Sequence, residues 1–274
     1  MMATASFPTR LPSRQGVHAP WGWAGAGAVF GLLLALLLFL PARWLALGVQ
    51  QASAGQVQLH AARGTLWNGS AHLMLTGGTG SPAAAALPGR VQWGLRPTWL
   101  GGVGLALQWR ADCCLQQPWR WTLVPHWAGL QLAASDSRSQ WPAQLLAGLG
   151  TPWNTIAAQG QLELSTRALV LGWSAGRLQV TGSAQLDALE VSSRLSTLRP
   201  MGSYRLTVQG GNVPALSLST LAGDLRLSGQ GQWVGGRLRF AGEASAAAQS
   251  QEVLANLLAI IGRRQGGRSI IKIG

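Results

Sequence analysis

GQLELSTRALVLGWSAGRLQVTGSAQL, residues 160–186, is the stretch on which the fold turns. Its centre, GWSAG at 172–176, matches the G-x-S-x-G pattern of a hydrolase nucleophile elbow. That elbow needs a strand before the serine, a helix after it, and an acid and a histidine later in the chain. Here the flanks ALVL and RLQV are both strand-like rather than strand and helix, and no histidine follows His126. The stretch therefore reads as two strands joined by a tight turn, with no acyl-transfer chemistry.

The same two-residue period recurs on either side of it. Val57, Leu59 and Ala61 fall at every second position, as do Ala71, Leu73 and Leu75. GLALQW, WRWTLV, SYRLTVQG, DLRLSGQ and GRLRFAGEA follow suit, with glycine and small polar residues between the runs. This predicts a mainly β body, a curved and mostly antiparallel sheet with one or two short helices. GRLQVTGSA at 176–184 returns as GRLRFAGEA at 236–244, each preceded by a related strand, GQLELS or GDLRLS. One hairpin unit reused to widen a sheet accounts for the echo.

Two segments have helical character. PAQLLAGLG at 142–150 opens on proline and closes on glycine; SQEVLANLLAIIG at 250–262 offers Ser250 as a cap and places Val253, Leu254, Leu257, Leu258 and Ile261 on one face. RSIIKIG beyond it reads as a final strand closing a sheet edge. Eight of the 14 tryptophans fall between Trp93 and Trp153, enough for a thick aromatic core face, with a partner-binding or sugar-stacking surface as the alternative.

Near the N-terminus, 24 residues between His18 and Arg43 carry no formal charge and include GAVFGLLLALLLFLPA. As a helix they would rise about 36 Å, enough to cross a bilayer. Trp21, Trp23 and Trp44 flank the run like interfacial anchors. An ASA triplet at 52–54 imitates a signal-peptidase site but lies 12 residues past Leu40, so an uncleaved anchor is expected. Residues 1–20 read as a short disordered tail, 21–42 as the transmembrane helix and 43–274 as the β-rich domain. Arg10 and Arg14 before the helix balance Arg43 and Arg63 after it, so charge alone leaves the orientation open.

The chain carries 21 basic against 8 acidic residues, and Lys272 is its sole lysine. The arginines are scattered without a dense run, which argues against nucleic acid as a partner. His18, His60, His72 and His126 lack metal-ligand spacing, and no phosphate-binding glycine loop is present. Nothing pairs the carboxylates for acid–base work, so no catalytic, cofactor or metal residue is expected. Cys113 and Cys114 are adjacent, which leaves a vicinal disulfide or two free thiols.

GTLWNGSA at 64–71 is then a hairpin corner. Thr65, Leu66 and Trp67 favour extended backbone, Asn68-Gly69 supplies a positive φ for a turn or bulge, and Trp67 is a large aromatic plug. Its Asn-x-Ser triplet matches a glycosylation sequon, which a tight turn disfavours.

Placed after an apolar segment ending LPARWL, this corner resembles the bacterial type II secretion system protein N family (general secretion pathway protein N). VQWGLRPTWL at 91–100, LGTPWNTIAAQGQLELS at 149–165, and the C-terminal GQWVGGRLRFAGEASA through LLAIIGRRQGGRSIIKIG carry the resemblance in the same order. It implies a bitopic inner-membrane protein with a cytoplasmic N-terminus and a periplasmic β domain. It also implies an accessory, non-enzymatic role in moving folded proteins across the outer membrane, with the inner-membrane platform proteins and the outer-membrane secretin as partners. Gly64, Leu66, Trp67, Gly69, Pro152, Trp153 and Asn154 are the family-typical structural or interaction positions. A lipid-binding or lipid-transfer protein is the rival expectation, since a half-barrel sheet of the kind seen in AsmA-like families, with an apolar inner face, could cradle acyl chains.

Overall fold

The computed structural model describes residues 21–78, 81, 83–99, 102–127, 129–151, 153–174, 176–234 and 237–274. Two compact units divide the chain after Phe39. In the first, α1 (Trp21–Leu38) is an 18-residue helix of apolar and small residues with no buried side chain. At about 1.5 Å per residue it is roughly 27 Å long, which matches the hydrocarbon thickness of a bilayer. It is the one helix among the described residues long and apolar enough to cross a membrane.

The second unit begins at Leu40. Pro41, extended at φ −64° and ψ 145°, opens α2 (Ala42–Ala52), an amphipathic helix that alternation in the sequence did not reveal. The strands follow: β1 (Val57–Gly64), β2 (Asn68–Thr76), β3 (Ala84–Ala86), β4 (Val91–Thr98), β5 (Gly104–Ala111), β6 (Trp119–His126), β7 (Gly129–Ala134) and β8 (Ser137–Pro142). A 3₁₀ helix (Ala143–Leu149) and one helical turn, α3 (Trp153–Ile156), lead into β9 (Gln159–Ser174), β10 (Arg177–Ser192), β11 (Gly202–Gly211), β12 (Ala215–Gly223), β13 (Leu225–Val234) and β14 (Arg237–Ala246). The chain ends with α4 (Gln251–Ile261), β15 (Arg263–Gln265) and β16 (Arg268–Ile273).

Among the described residues, sixteen strands join one antiparallel sheet, in the order β1-β2-β4-β5-β6-β7-β9-β10-β11-β12-β13-β14-β16-β15, with β3 added to β2 and β8 to β9. The order is almost the chain order because each short turn returns the chain beside the strand it has just left. The sheet is not closed into a barrel; β1 and β15 are its outer strands. Register shifts mark bulges at His60/Arg63, Thr181/Ser183 and Leu189/Ser192, and each bulge bends its strand locally. At the second, Gly182 has φ +78° and stands against the Ala168 backbone, where a side chain would have no room.

GWSAG is the turn expected of it: β9 ends at Ser174, β10 starts at Arg177, and these two residues pair. The repeated units are likewise second strands of hairpins, β10 on β9 and β14 on β13. Val180 and Phe240 occupy equivalent positions in the two copies, and both are buried. The 142–150 segment is 3₁₀ rather than α, running over Ala143–Leu149 after Pro142. RSIIKIG forms β16 against β14, but the outermost strand is the short β15, folded back along it.

The 250–262 helix is α4, with two corrections. Ser250 makes no side-chain cap; its hydroxyl donates to the Asp224 carboxylate instead. Val253 faces solvent, and the buried stripe is Leu254, Leu257 and Leu258 with Ile261 packed beside it. These leucines seat on Met201, Tyr204, Leu225 and Ala244 at one end of the sheet. The Tyr204 hydroxyl is buried there with no hydrogen-bond partner among the described residues, and burial pushes its ionisation well up. Tyr204→Phe removes that polar atom, so thermal unfolding should be unchanged or shifted upward, by up to about 1 kcal/mol in stability.

Strand register sets apolar residues opposite one another in separate runs across the sheet. Trp93 pairs with Trp109 and Trp109 with Trp119. Leu132 pairs with Leu171 and Leu171 with Val180; Val208 pairs with Leu216 and Gly231 with Phe240. Trp109 stacks on both Trp119 and Trp141, with ring centroids 5.8 and 5.7 Å apart. Much of the tryptophan cluster is thus core, as its density implied. Trp99 and Trp127 are exposed.

Candidate functional site

The GTLWNG corner joins β1 to β2, and its geometry differs from the sequence reading in two respects. The positive φ falls on Gly64, at +89°, and not on Asn68 or Gly69. Thr65 makes the turn: its N–H donates to the Asn68 carbonyl at 2.8 Å and its Oγ1 accepts from the Asn68 N–H at 3.1 Å. The buried aromatic is Trp93 of β4, whereas Trp67 is half-buried and its carbonyl accepts from the Leu95 N–H at 2.7 Å. The Trp93 indole N–H donates to the Leu66 carbonyl at 3.1 Å, and its ring lies where a Cβ on Gly69 would stand. Gly69 is thus a seat for an indole. The signal for Trp93 was available in the alternation Val91-Trp93-Leu95, opposite Ala71 and Gly69.

The corner also grips the segment where the second unit starts. The Leu66 N–H donates to the Leu40 carbonyl at 2.8 Å, and Pro41 bridges Thr65. Ala42, Ala71 and Trp93 form a buried cluster with Leu45, Leu59 and Leu95 around it. Gly64, Leu66, Trp67 and Gly69 therefore hold the root of the β domain, directly after the apolar segment in the chain.

The second group of family-typical positions is elsewhere. Pro152 lies outside the described residues. Trp153 opens α3 and is 40% exposed; the Asn154 N–H donates to the Gly150 carbonyl at 3.0 Å. Gly148 and Gly150 fit closely against Leu75 and Gly77, at the opposite end of β2 from Asn68. Eight residues of strand at about 3.4 Å each separate the two groups by roughly 27 Å. They brace two ends of the sheet and do not form one site.

On the face opposite the tryptophans, an open polar hollow of about 620 Å³ is lined by Asp136, Arg138, Ser165, Arg167, Gln185 and Gln209, among others. The carboxylates near it have structural duties. Asp136 accepts from the Ala168 N–H at 2.6 Å and Glu163 from the Gln140 amide at 2.8 Å. Asp187 takes both Arg205 Nε and Nη2 at 2.8 Å, and Gln185 at 3.0 Å. The Arg205 hydrogen bonds hold the Asp187 carboxyl below its ordinary range against the opposing effect of burial. A depressed folded-state pKa contributes stability above the unfolded value of about 3.9, lost as pH falls through the folded value. Asp187→Asn should therefore melt below the parent at pH 7, with the gap closing as the buffer is taken below about pH 4.

Among the described residues no three His, Cys, Asp or Glu side chains cluster as a metal site. His60, His72 and His126 bond respectively to the Gln58 side chain, the Gly89 carbonyl and the Val124 carbonyl. Cys113 and Cys114 are joined as a vicinal disulfide, with Cys114 buried beside Leu87, Val91 and Leu145. Neither the corner nor the hollow assembles a nucleophile, its base and an oxyanion donor. What both offer is shaped surface.

No curated protein sequence and no solved structure matches the chain. The family model described as type II secretion system (T2SS), protein N, matches residues 55–271, from just before β1 into β16 and across both motif groups. That span covers most of the sequence, so the chain belongs to the type II secretion system protein N family.

Proposed function

We propose that the protein is a non-enzymatic scaffold of the type II secretion machine, anchored in the bacterial inner membrane by α1, with its N-terminus cytoplasmic and its sheet domain periplasmic. In this reading residues 1–20 are a cytoplasmic tail, 21–42 the membrane segment and 43–274 the periplasmic body. The observation that carries it is the family match over a sheet domain that directly follows one apolar helix. Its partners are the inner-membrane platform proteins and the outer-membrane secretin, met through exposed strand edges and turns; the outer strands β15 and β1 each have one edge that pairs with no strand of this sheet. Affinity capture from detergent-solubilised cells tests this, with a deletion strain alongside. Co-purification of platform or secretin and loss of exoprotein export are expected; neither partner recovered and export unaltered would reject it.

A second reading is favoured by the runs of paired apolar residues between Trp93 and Phe240. On this reading the positive-φ bulges at Ala61, Ala168 and Glu190 bend their strands so that the open sheet acts as a half-barrel, whose apolar inside would hold acyl chains near the membrane. Mass spectrometry of organic extracts of the purified protein separates the readings. Phospholipid or lipopolysaccharide recovered in fixed stoichiometry after detergent exchange supports the groove, and a lipid-free extract dismisses it.

A further inference from the structure

Apolar side chains are exposed at the tips of successive hairpins, and all these tips lie at one end of the sheet. Thr98 pairs with Gly104, His126 with Gly129 and Ser174 with Arg177, so the β4–β5, β6–β7 and β9–β10 turns reach the same level. There stand Trp99, 73% exposed, with Val103, the fully exposed Trp127, and Trp173. Farther along the same edge, Val213 lies between β11 and β12 and Val234 ends β13, both exposed. Tips of this kind are usually polar or glycine-rich, because an indole in water forgoes the burial that stabilises it.

Charge is sorted along the same axis. Arg96, Arg177, Arg237, Arg239 and Lys272 lie at or next to these tips, and no Asp or Glu occurs in residues 96–105, 123–131, 170–181, 209–216, 230–241 or 270–274. Asp112, Glu190, Asp224 and Glu252 sit in turns, strand ends or α4 at the other end, and Asp136 stands beside Ala168, about midway along β9 and six residues from its Ser174 tip. The GTLWNG corner is on the indole-bearing side too, since Asn68 pairs with Gly94 and Gly69 with Trp93 along β2. It fastens Leu40, the first residue of the second unit and two residues past the end of α1.

We propose that this rim is a second membrane contact: the hairpin tips insert Trp99, Trp127 and Trp173 into the headgroup layer of the bilayer that α1 crosses, with the neighbouring arginines on anionic phospholipid. Indoles suit that layer because the ring is apolar and its N–H finds headgroup or water partners, and each basic side chain near an anionic surface adds attraction that salt weakens. The domain is thereby held with its acidic end away from the lipid. The inference rests on the anchor reading, so its test reports the anchor separately.

Full-length protein is reconstituted into phosphatidylcholine vesicles with and without phosphatidylglycerol. Trp99→Cys and Trp127→Cys, the Cys113–Cys114 bridge left oxidised, carry a polarity-sensitive nitrobenzoxadiazole label. Arg194→Cys, exposed beyond the far end of β10 and about 50 Å from the rim by strand rise, is the control. Labels at 99 and 127 should emit to the blue of that at 194, be quenched by brominated lipid, and respond more strongly with phosphatidylglycerol. Arg177→Gln and Arg237→Gln should each lower the ratio of inserted to free tips about fivefold in anionic vesicles. The mutated tips are exposed, so none of these changes opens the core. Water-like emission at 99 and 127 in a chain that floats with its vesicles overturns the rim and leaves the anchor intact. A shift that appears only when platform proteins are added assigns the rim to a protein partner and also overturns it. A chain that fails to float removes the anchor and this inference together.

Discussion

Trp93→Ala should lower the unfolding free energy by about 3–5 kcal/mol, the range for deleting a large buried aromatic. Trp93 is only 8% exposed, and its ring is shared by Ala42 of α2, Ala71 of β2 and the flat seat of Gly69. Its indole N–H also satisfies the Leu66 carbonyl, whose own N–H holds Leu40. Losing the ring leaves a cavity under α2 and frees the corner from which the domain starts. Chemical denaturation of the detergent-solubilised chain measures the first effect; faster hydrogen exchange at the Leu66 amide measures the second. Trp93→Phe keeps most of the packing and loses the hydrogen bond, so its cost should fall nearer about 1 kcal/mol in addition to the lost ring volume. Gly69→Ala attacks the same contact from the other side, its new Cβ lying 2.8 Å from Trp93 Cε2 and 2.9 Å from the Arg63 carbonyl, and overpacking of that kind costs about 1–3 kcal/mol. Equal melting of Trp93→Ala and the parent would mean that the corner is not a packing centre.

The strand period was legible because each hairpin buries one face and leaves the other wet, which writes alternation into the sequence. Residues 160–186 carried it clearly enough to override a five-residue hydrolase motif. Features set by long-range packing were not legible. Gly69 follows an asparagine, which imitates a turn, yet it is glycine because an indole from β4 occupies the Cβ position. Ser250 stands where a cap belongs, yet Asp224, 26 residues away, takes its hydroxyl. α2 escaped notice because its apolar stripe rests on β1 and β2, which follow it in the chain.

The two motif groups illustrate the same limit for the site. Sequence order places Gly64–Gly69 and Trp153–Asn154 in a common family pattern but gives no distance between them. The structure separates them by the length of β2, one group at Leu40 and the other at Gly77. A partner that needed both would have to span that strand. Each group is better understood through the backbone it immobilises. The rim of exposed indoles shows the converse case: Trp99, Trp127 and Trp173 are far apart in sequence, and only the strand register brings their turns to one level.

At the opposite end of the sheet the largest single loss is expected from Leu254→Ala. Leu254 has no exposed surface, and with Leu257 and Leu258 it is the means by which α4 covers Met201, Tyr204, Leu225 and Ala244. Removing three carbons from so closed a site costs about 2–5 kcal/mol, depending on how far the neighbours collapse. Alanine is the better helix former, so α4 itself does not weaken and the whole loss belongs to packing. Val253→Ala, one position earlier, changes a side chain that is 42% exposed and should stay within about 0.5 kcal/mol of the parent. Denaturant midpoints of the two variants, taken at one detergent concentration, therefore measure a difference between adjacent residues that only helix orientation can produce. Comparable losses at both positions would place α4 in another rotation and take away the cover assigned to this end of the sheet.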